Sequence, residues 1–146
     1  MRIRKAHLTP TEDVLKFLHG VERAFFAHAL SGATVRIYQK ELRNDPRDRE
    51  LNRESLEKWK ARQVEMHDLW ESRKAEVDQF LRGLNDERHR AILKLRYVDS
   101  LRWSTVKKKL AKQGFYYEDR QMFRLHKDAV AEAQKLWSQR KKEPNQ

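Results

Sequence analysis

Arg120, Gln121, Arg124 and Lys127 are the residues whose types and spacing promise the most specific chemistry in this chain. On a helix turning about 100° per residue, Arg120, Arg124 and Lys127 share one side with Ala131, and Gln121 and Asp128 lie on its flank. Met122, Leu125, His126, Ala129, Ala133 and Leu136 gather on the opposite side. An arginine can grip a guanine through two parallel hydrogen bonds, and a glutamine can do the same for adenine. A basic row opposed by an apolar stripe is therefore what a helix lying in the major groove of DNA requires. The same polarity also describes any amphipathic surface helix, so the pattern alone leaves both readings open. Phe123, Val130 and Trp137 widen the apolar side into a shoulder, which predicts packing on an N-terminal helical hairpin or on a second subunit.

Just upstream, Lys107, Lys108, Lys109 and Lys112 form a short lysine cluster. Read functionally, it is a set of phosphate clamps that position a duplex without reading it. Read structurally, it is a solvated helix face. Arg140-Lys141-Lys142 is expected to be a frayed basic end that adds affinity without specificity. Other chemistries find no support. The six histidines, His7, His19, His28, His67, His89 and His126, make no pair at metal-ligand spacing along a helix, and no cysteine can join them. His28 is expected to be a satisfied core residue. No glycine-rich phosphate loop or Gly-x-Ser-x-Gly turn occurs. Acidic residues are spread over charged helix faces as ion-pair partners would be. The sequence therefore predicts no enzyme, no cofactor and no metal.

These residues need elements to hold them. Thr9-Pro10-Thr11-Glu12 reads as a helix start, with Thr9 as cap and Glu12 closing a capping box. Val14, Phe17, Val21, Ala24, His28, Val35, Tyr38 and Leu42 come next on alternating steps of three and four, with Ser31 in the remaining place. Gly32 lies inside the run, where a kink or break is expected. Asn44-Asp45-Pro46-Arg47-Asp48 is the strongest turn signal, with Asp48 able to cap the next helix. Leu56, Trp59, Gln63, Met66, Trp70, Arg73, Val77, Phe80 and Leu84 then repeat the same steps. Two such seams predict a long, coiled-coil-like helical hairpin, with arms of roughly 35 residues and about 50 Å. The seams serve a hairpin and a dimer alike, so a homodimer stays open. Beyond Asn85 or Asp86, either of which can cap, three shorter helices are expected: to about Val98, from about Leu101 to Lys112, and from near Glu118 or Asp119 onward. Asp99-Ser100 and Gly114 separate them, and Phe115-Tyr116-Tyr117 bridges to the third. Short helices with tight connections suggest a helix-turn-helix.

The chain of 146 residues is thus expected to be all-α, with a hairpin over 1–84 and a helix-turn-helix domain with a basic tail over 85–146. Its 33 Lys and Arg against 22 Asp and Glu give a net charge of +11. Of this, +8 falls on residues 86–146 and only +3 on the first 85, which makes the C-terminal part the polyanion-facing half. No apolar run approaches the roughly 18 residues of a membrane span, and no signal core follows the basic start. A protein of the cytoplasm is expected, without a membrane partner.

The stretch Leu84-Asn85-Asp86-Glu87-Arg88-His89-Arg90-Ala91-Ile92-Leu93-Lys94-Leu95-Arg96-Tyr97-Val98 resembles the opening helix of a sigma-factor region-four domain. Trp103-Ser104-Thr105-Val106 resembles the start of that domain's second helix, and Arg120 through Val130 its recognition helix. The last match, behind a charged helical segment, resembles phage-encoded late transcription regulators of the ArpU/RinA type. The resemblance covers about residues 84 to 137 and is architectural before that. It implies a sequence-specific regulator, an activator of phage or mobile-element genes in a bacterial host, which binds double-stranded DNA and contacts RNA polymerase. By position, Arg120, Gln121 and Arg124 would reach base edges and Lys127 the backbone. Three departures bear on docking: Glu118 replaces a capping serine, Lys107 replaces a small residue between the second and third helices, and about five extra residues separate those helices. Two other functions remain open: a polymerase-binding protein that does not read DNA, and a DNA-packaging adaptor resembling a small terminase subunit.

Overall fold

The structure, a computed structural model, describes residues 10–44 and 49–142. All regular structure among them is helical: α1 (Pro10–Leu18), α2 (Gly20–Asn44), α3 (Arg49–Leu81), α4 (Glu87–Leu93), α5 (Trp103–Lys112) and α6 (Asp119–Lys142). The all-α class follows directly. Pro10 stands in the first turn of α1, where its missing N–H costs nothing. The proposed cap at Thr9 and the turn at Asp45 to Asp48 lie outside the described residues.

Two compact units emerge, one of residues 1–20 with 76–146, the other of residues 21–75. This division differs from a boundary at 84/85. Aromatic packing supplies the reason. Trp137 of α6 lies 4.7 Å from the Phe17 ring of α1 and 5.7 Å from Phe80 at the end of α3, and Phe17 meets Phe80 edge-on at 5.2 Å. The Trp137 indole N–H also donates to Asp13 at 2.7 Å. The shoulder on α6 thus gathers α1 and the last turn of α3 into the C-terminal unit. Such ring pairs add about 0.5–1.5 kcal/mol each beyond the area they bury.

In the unit of residues 21–75, α2 and α3 meet through Phe25 with Trp70 at 5.2 Å, His28 with Trp70 at 5.6 Å and His67 at 5.3 Å, and Gly32 beside Gln63. Rising numbers on one helix against falling numbers on the other make the pair antiparallel. Gly32 does not break its helix; the interruption falls at His19, between α1 and α2. A β-carbon on Gly32 would stand 3.2 Å from the Gln63 amide nitrogen, so the glycine permits close approach here. His28 is half-buried against its two ring neighbours, but its Nδ1 has no hydrogen-bond partner. It is a packed residue, not a satisfied one.

In the other unit, α6 packs chiefly on α4 and then on α1. Ile92, Leu93, Val106, Leu110, Met122, Ala129 and Ala133 are all 2% exposed or less. The small side chains of Ala129 and Ala133 let α6 approach its neighbours closely. α4 passes into a π-helical turn, Lys94–Val98, in which the Asp99 N–H reaches back five residues to the Lys94 carbonyl at 2.9 Å. The wider turn inserts Leu95, Tyr97 and Val98 together into the core. Ser100 then takes a left-handed conformation, φ 54°, and reverses the chain into α5.

Candidate nucleic-acid interface

The position of α6 is fixed at three places. Near its start, the Gln121 side-chain carbonyl accepts the Glu118 N–H at 3.0 Å, and the Glu118 carbonyl accepts the first helical N–H, from Met122, at 2.9 Å. Glu118 thus takes the capping position without a serine, with Gln121 reaching back as in half a capping box. Midway, His126 Nε2 pairs with the Tyr97 hydroxyl at 2.8 Å, and Trp103 stands edge-on to His126 at 4.8 Å and to Phe123 at 5.2 Å. Burial, and then the charges of Arg96 and His19, push the His126 pKa down to about 4, so the ring is neutral at pH 7.

Further along, Glu132 accepts the Asn85 backbone N–H at 2.7 Å and pairs with His89 Nδ1 at 2.7 Å. Burial raises the Glu132 pKa, but the bonds from His89 and the backbone N–H groups of Asn85 and Asp86 outweigh it, and the net direction is down. Asp86 caps α4 by accepting the Arg88 N–H at 2.9 Å. Its pKa is lowered to about 2, first by the Arg88 side-chain bond, against a smaller opposing effect of burial.

The turn before α5 is closed by one side chain. Arg96 donates to the Leu101 carbonyl at 2.9 Å, and its guanidinium lies 5.1 Å from the Trp103 ring centre. Gly114, φ 94°, ends α5, with the Gly114 N–H bonded to Ala111 O at 3.0 Å and the Phe115 N–H to Leu110 O at 2.9 Å. That paired closure needs a left-handed residue, which glycine supplies without strain.

On this frame Arg120, Arg124 and Lys127 are all exposed, on the side of α6 opposite buried Met122, Leu125 and Ala129. Gln121 is exposed as well, though its carbonyl oxygen is engaged in the cap. The four lysines of α5 diverge. Lys108 and Lys112 are exposed on the side turned away from buried Val106 and Leu110. Lys109 is exposed on one flank, beside Gln113 and Lys94 along a shallow groove. Lys107 turns to the other flank and pairs with Asp119 at 2.9 Å. The long Lys107 side chain is accommodated between α5 and α6 because the acid at the start of α6 receives its ammonium. The pair makes Lys107 a bridge between the two helices.

Sequence reading missed Glu132, Arg96 and Asp13. Glu132 and Asp13 act across 47 and 124 residues of chain, and no local spacing marks such partners. Arg96 had a local signal, an arginine seven residues before a tryptophan across a turn, and it stands within the π turn when it meets that ring.

Among the described residues no three metal-capable side chains converge, and no helix is long and apolar enough to cross a membrane. Comparison of the chain with protein-family models, with curated proteins and with solved structures found no match.

Proposed function

We propose that this protein is a sequence-specific DNA-binding transcription regulator, with α5 and α6 acting as a helix-turn-helix and α6 as its recognition helix. The observation that carries the reading is the exposed row of Arg120, Arg124 and Lys127 on a helix whose opposite face is clamped into a core. Rigidity matters, because a bidentate arginine–guanine contact discriminates by about 1–3 kcal/mol only where its backbone is held. The surplus of +8 over residues 86–146 supplies the attraction for phosphate. The resemblance to sigma-factor region four and to ArpU/RinA-type regulators supports the same class. Control of phage or mobile-element genes and contact with RNA polymerase follow from that resemblance alone. In this reading Arg120 and Arg124 read bases, Gln121 contributes its amide N–H₂, and Lys108, Lys109, Lys112 and Lys127 hold phosphates.

Selection from a random DNA library by the purified protein tests the proposal. A single recovered motif is expected, with Arg124→Ala relaxing preference at one position. Lys108→Ala is expected to weaken all sequences alike and to reduce the slope of log affinity against log salt by about 0.9. Lys107→Ala is expected to lower stability while changing that slope less than Lys108→Ala does. Absence of enrichment, or binding indifferent to salt, sinks the reading.

A further inference from the structure

The unit of residues 21–75 is poor in core. Of the 22 buried hydrophobic side chains among the described residues, only Val21, Ala24, Val35 and Leu56 belong to it. On α2, meanwhile, Phe26, Leu30 and Ile37 are 59%, 70% and 58% exposed. With Ala33 they follow steps of four, three and four, a single stripe on the side of the helix opposite buried Ala24, Ser31 and Val35. His28 of the seam recognised in the sequence packs on α3, and the exposed row is a second stripe on the same helix. Large apolar side chains in a row are uncommon on a free surface.

We infer that this stripe pairs with the same stripe of a second copy of the chain, α2 against α2 in antiparallel order. A two-fold axis perpendicular to the helices sets Phe26 level with the second copy's Ile37, and Leu30 level with its Ala33. Each layer then holds one larger and one smaller side chain, where a parallel pairing stacks Phe26 on Phe26 and leaves a thin layer at Ala33. The ends are complementary in charge. Glu22 and Arg23 at one end of the stripe meet Lys40 and Glu41 of the second copy. Residues on one side of an antiparallel pair face the same side of the partner, which brings Glu22 to Lys40 and Arg23 to Glu41, each twice by symmetry. These groups can serve more than one partner at once, so the pairing asks none of them to be idle. Three large side chains per copy fall short of the roughly 800 Å² per partner of a standard interface. The dimer is accordingly weak, with a dissociation constant of roughly 1–100 μM. The inference does not depend on DNA binding.

Sedimentation equilibrium of the full chain tests it, across concentrations spanning that range. A reversible monomer–dimer equilibrium is expected, and Leu30→Glu, which brings one carboxylate from each copy together near the axis, weakens it at least tenfold while circular dichroism stays unchanged. Should that variant lose helicity, Ile37→Glu at the edge of the stripe gives the same readout. The chain has no cysteine, so orientation can be read by oxidative cross-linking. A mixture of Leu30→Cys and Ala33→Cys proteins cross-links faster than either alone. A monomer at every concentration, a dimer indifferent to both glutamates, or faster cross-linking of Leu30→Cys alone overturns the proposal.

Discussion

His126 is polar, lies in the first third of the longest helix of its unit, and is held neutral by its surroundings. Its pKa of about 4 lies below the unfolded value near 6.5, so the unfolded chain binds the extra proton first as pH falls. The stabilisation is complete above pH 6.5 and is lost as pH drops from there toward 4. Allowing for partial exposure of the ring, the loss amounts to roughly 1–2 kcal/mol. Thermal unfolding at pH 7 and pH 4.5 should show it, and His126→Gln should flatten the slope between them. An equal slope in the variant means another group titrates there. Asp86 acts lower down: its pKa is depressed to about 2 by Arg88, so its share is present above pH 4 and lost between there and 2. At this scale the sequence was partly legible. Asp86 as a cap, and Arg120 and Arg124 on an outward face, follow from local spacing. The Lys107–Asp119 bridge does not, because spacing puts a lysine on a flank without saying what faces it.

At the scale of elements, turn chemistry decides where α5 stops and how α6 starts. Gly114 takes φ 94° and has open space around its α-carbon, so backbone strain alone governs a substitution there. Gly114→Ala should therefore destabilise by about 1–2 kcal/mol, and Gly114→Asn by less, since asparagine tolerates the left-handed region. Denaturant unfolding of both variants checks the order; equal losses would mean that bulk, not conformation, is resisted. The helix stop at Gly114 was legible because few residues other than glycine close a helix in this way. Helix existence was legible too, since a three–four period sustained over many residues has no competing explanation. The break between α1 and α2 was not. The apolar period continues through His19, and a pattern that specifies which side is buried is silent on which partner buries it. The π turn was hidden for a similar reason: Ile92, Leu93, Leu95, Tyr97 and Val98 are apolar nearly all round, so no period registers the extra residue.

Across the whole molecule, charge and core are divided in parallel. Among the described residues, the C-terminal unit holds 18 of the 22 buried hydrophobic side chains and also the +8 segment; the arm of residues 21–75 holds four and exposes a row of large ones. Hydrophobic burial drives folding roughly in proportion to area, so the two units must differ in local stability although α3 runs through both. Opening of the arm should cost less than global unfolding. Amide exchange would then change along a single helix: slow in the last turn of α3, around Val77, Phe80 and Leu81, and faster toward its start near Leu56. Association through α2 adds a term that depends on concentration, because a partner that binds only the folded arm stabilises it by mass action. Raising the protein concentration about a hundredfold should therefore slow exchange in residues 21–75 while leaving α5 and α6 nearly unchanged. Uniform protection along α3 would instead mean that the chain opens as one cooperative body, with the sparse core of the arm sustained by the rest of the fold.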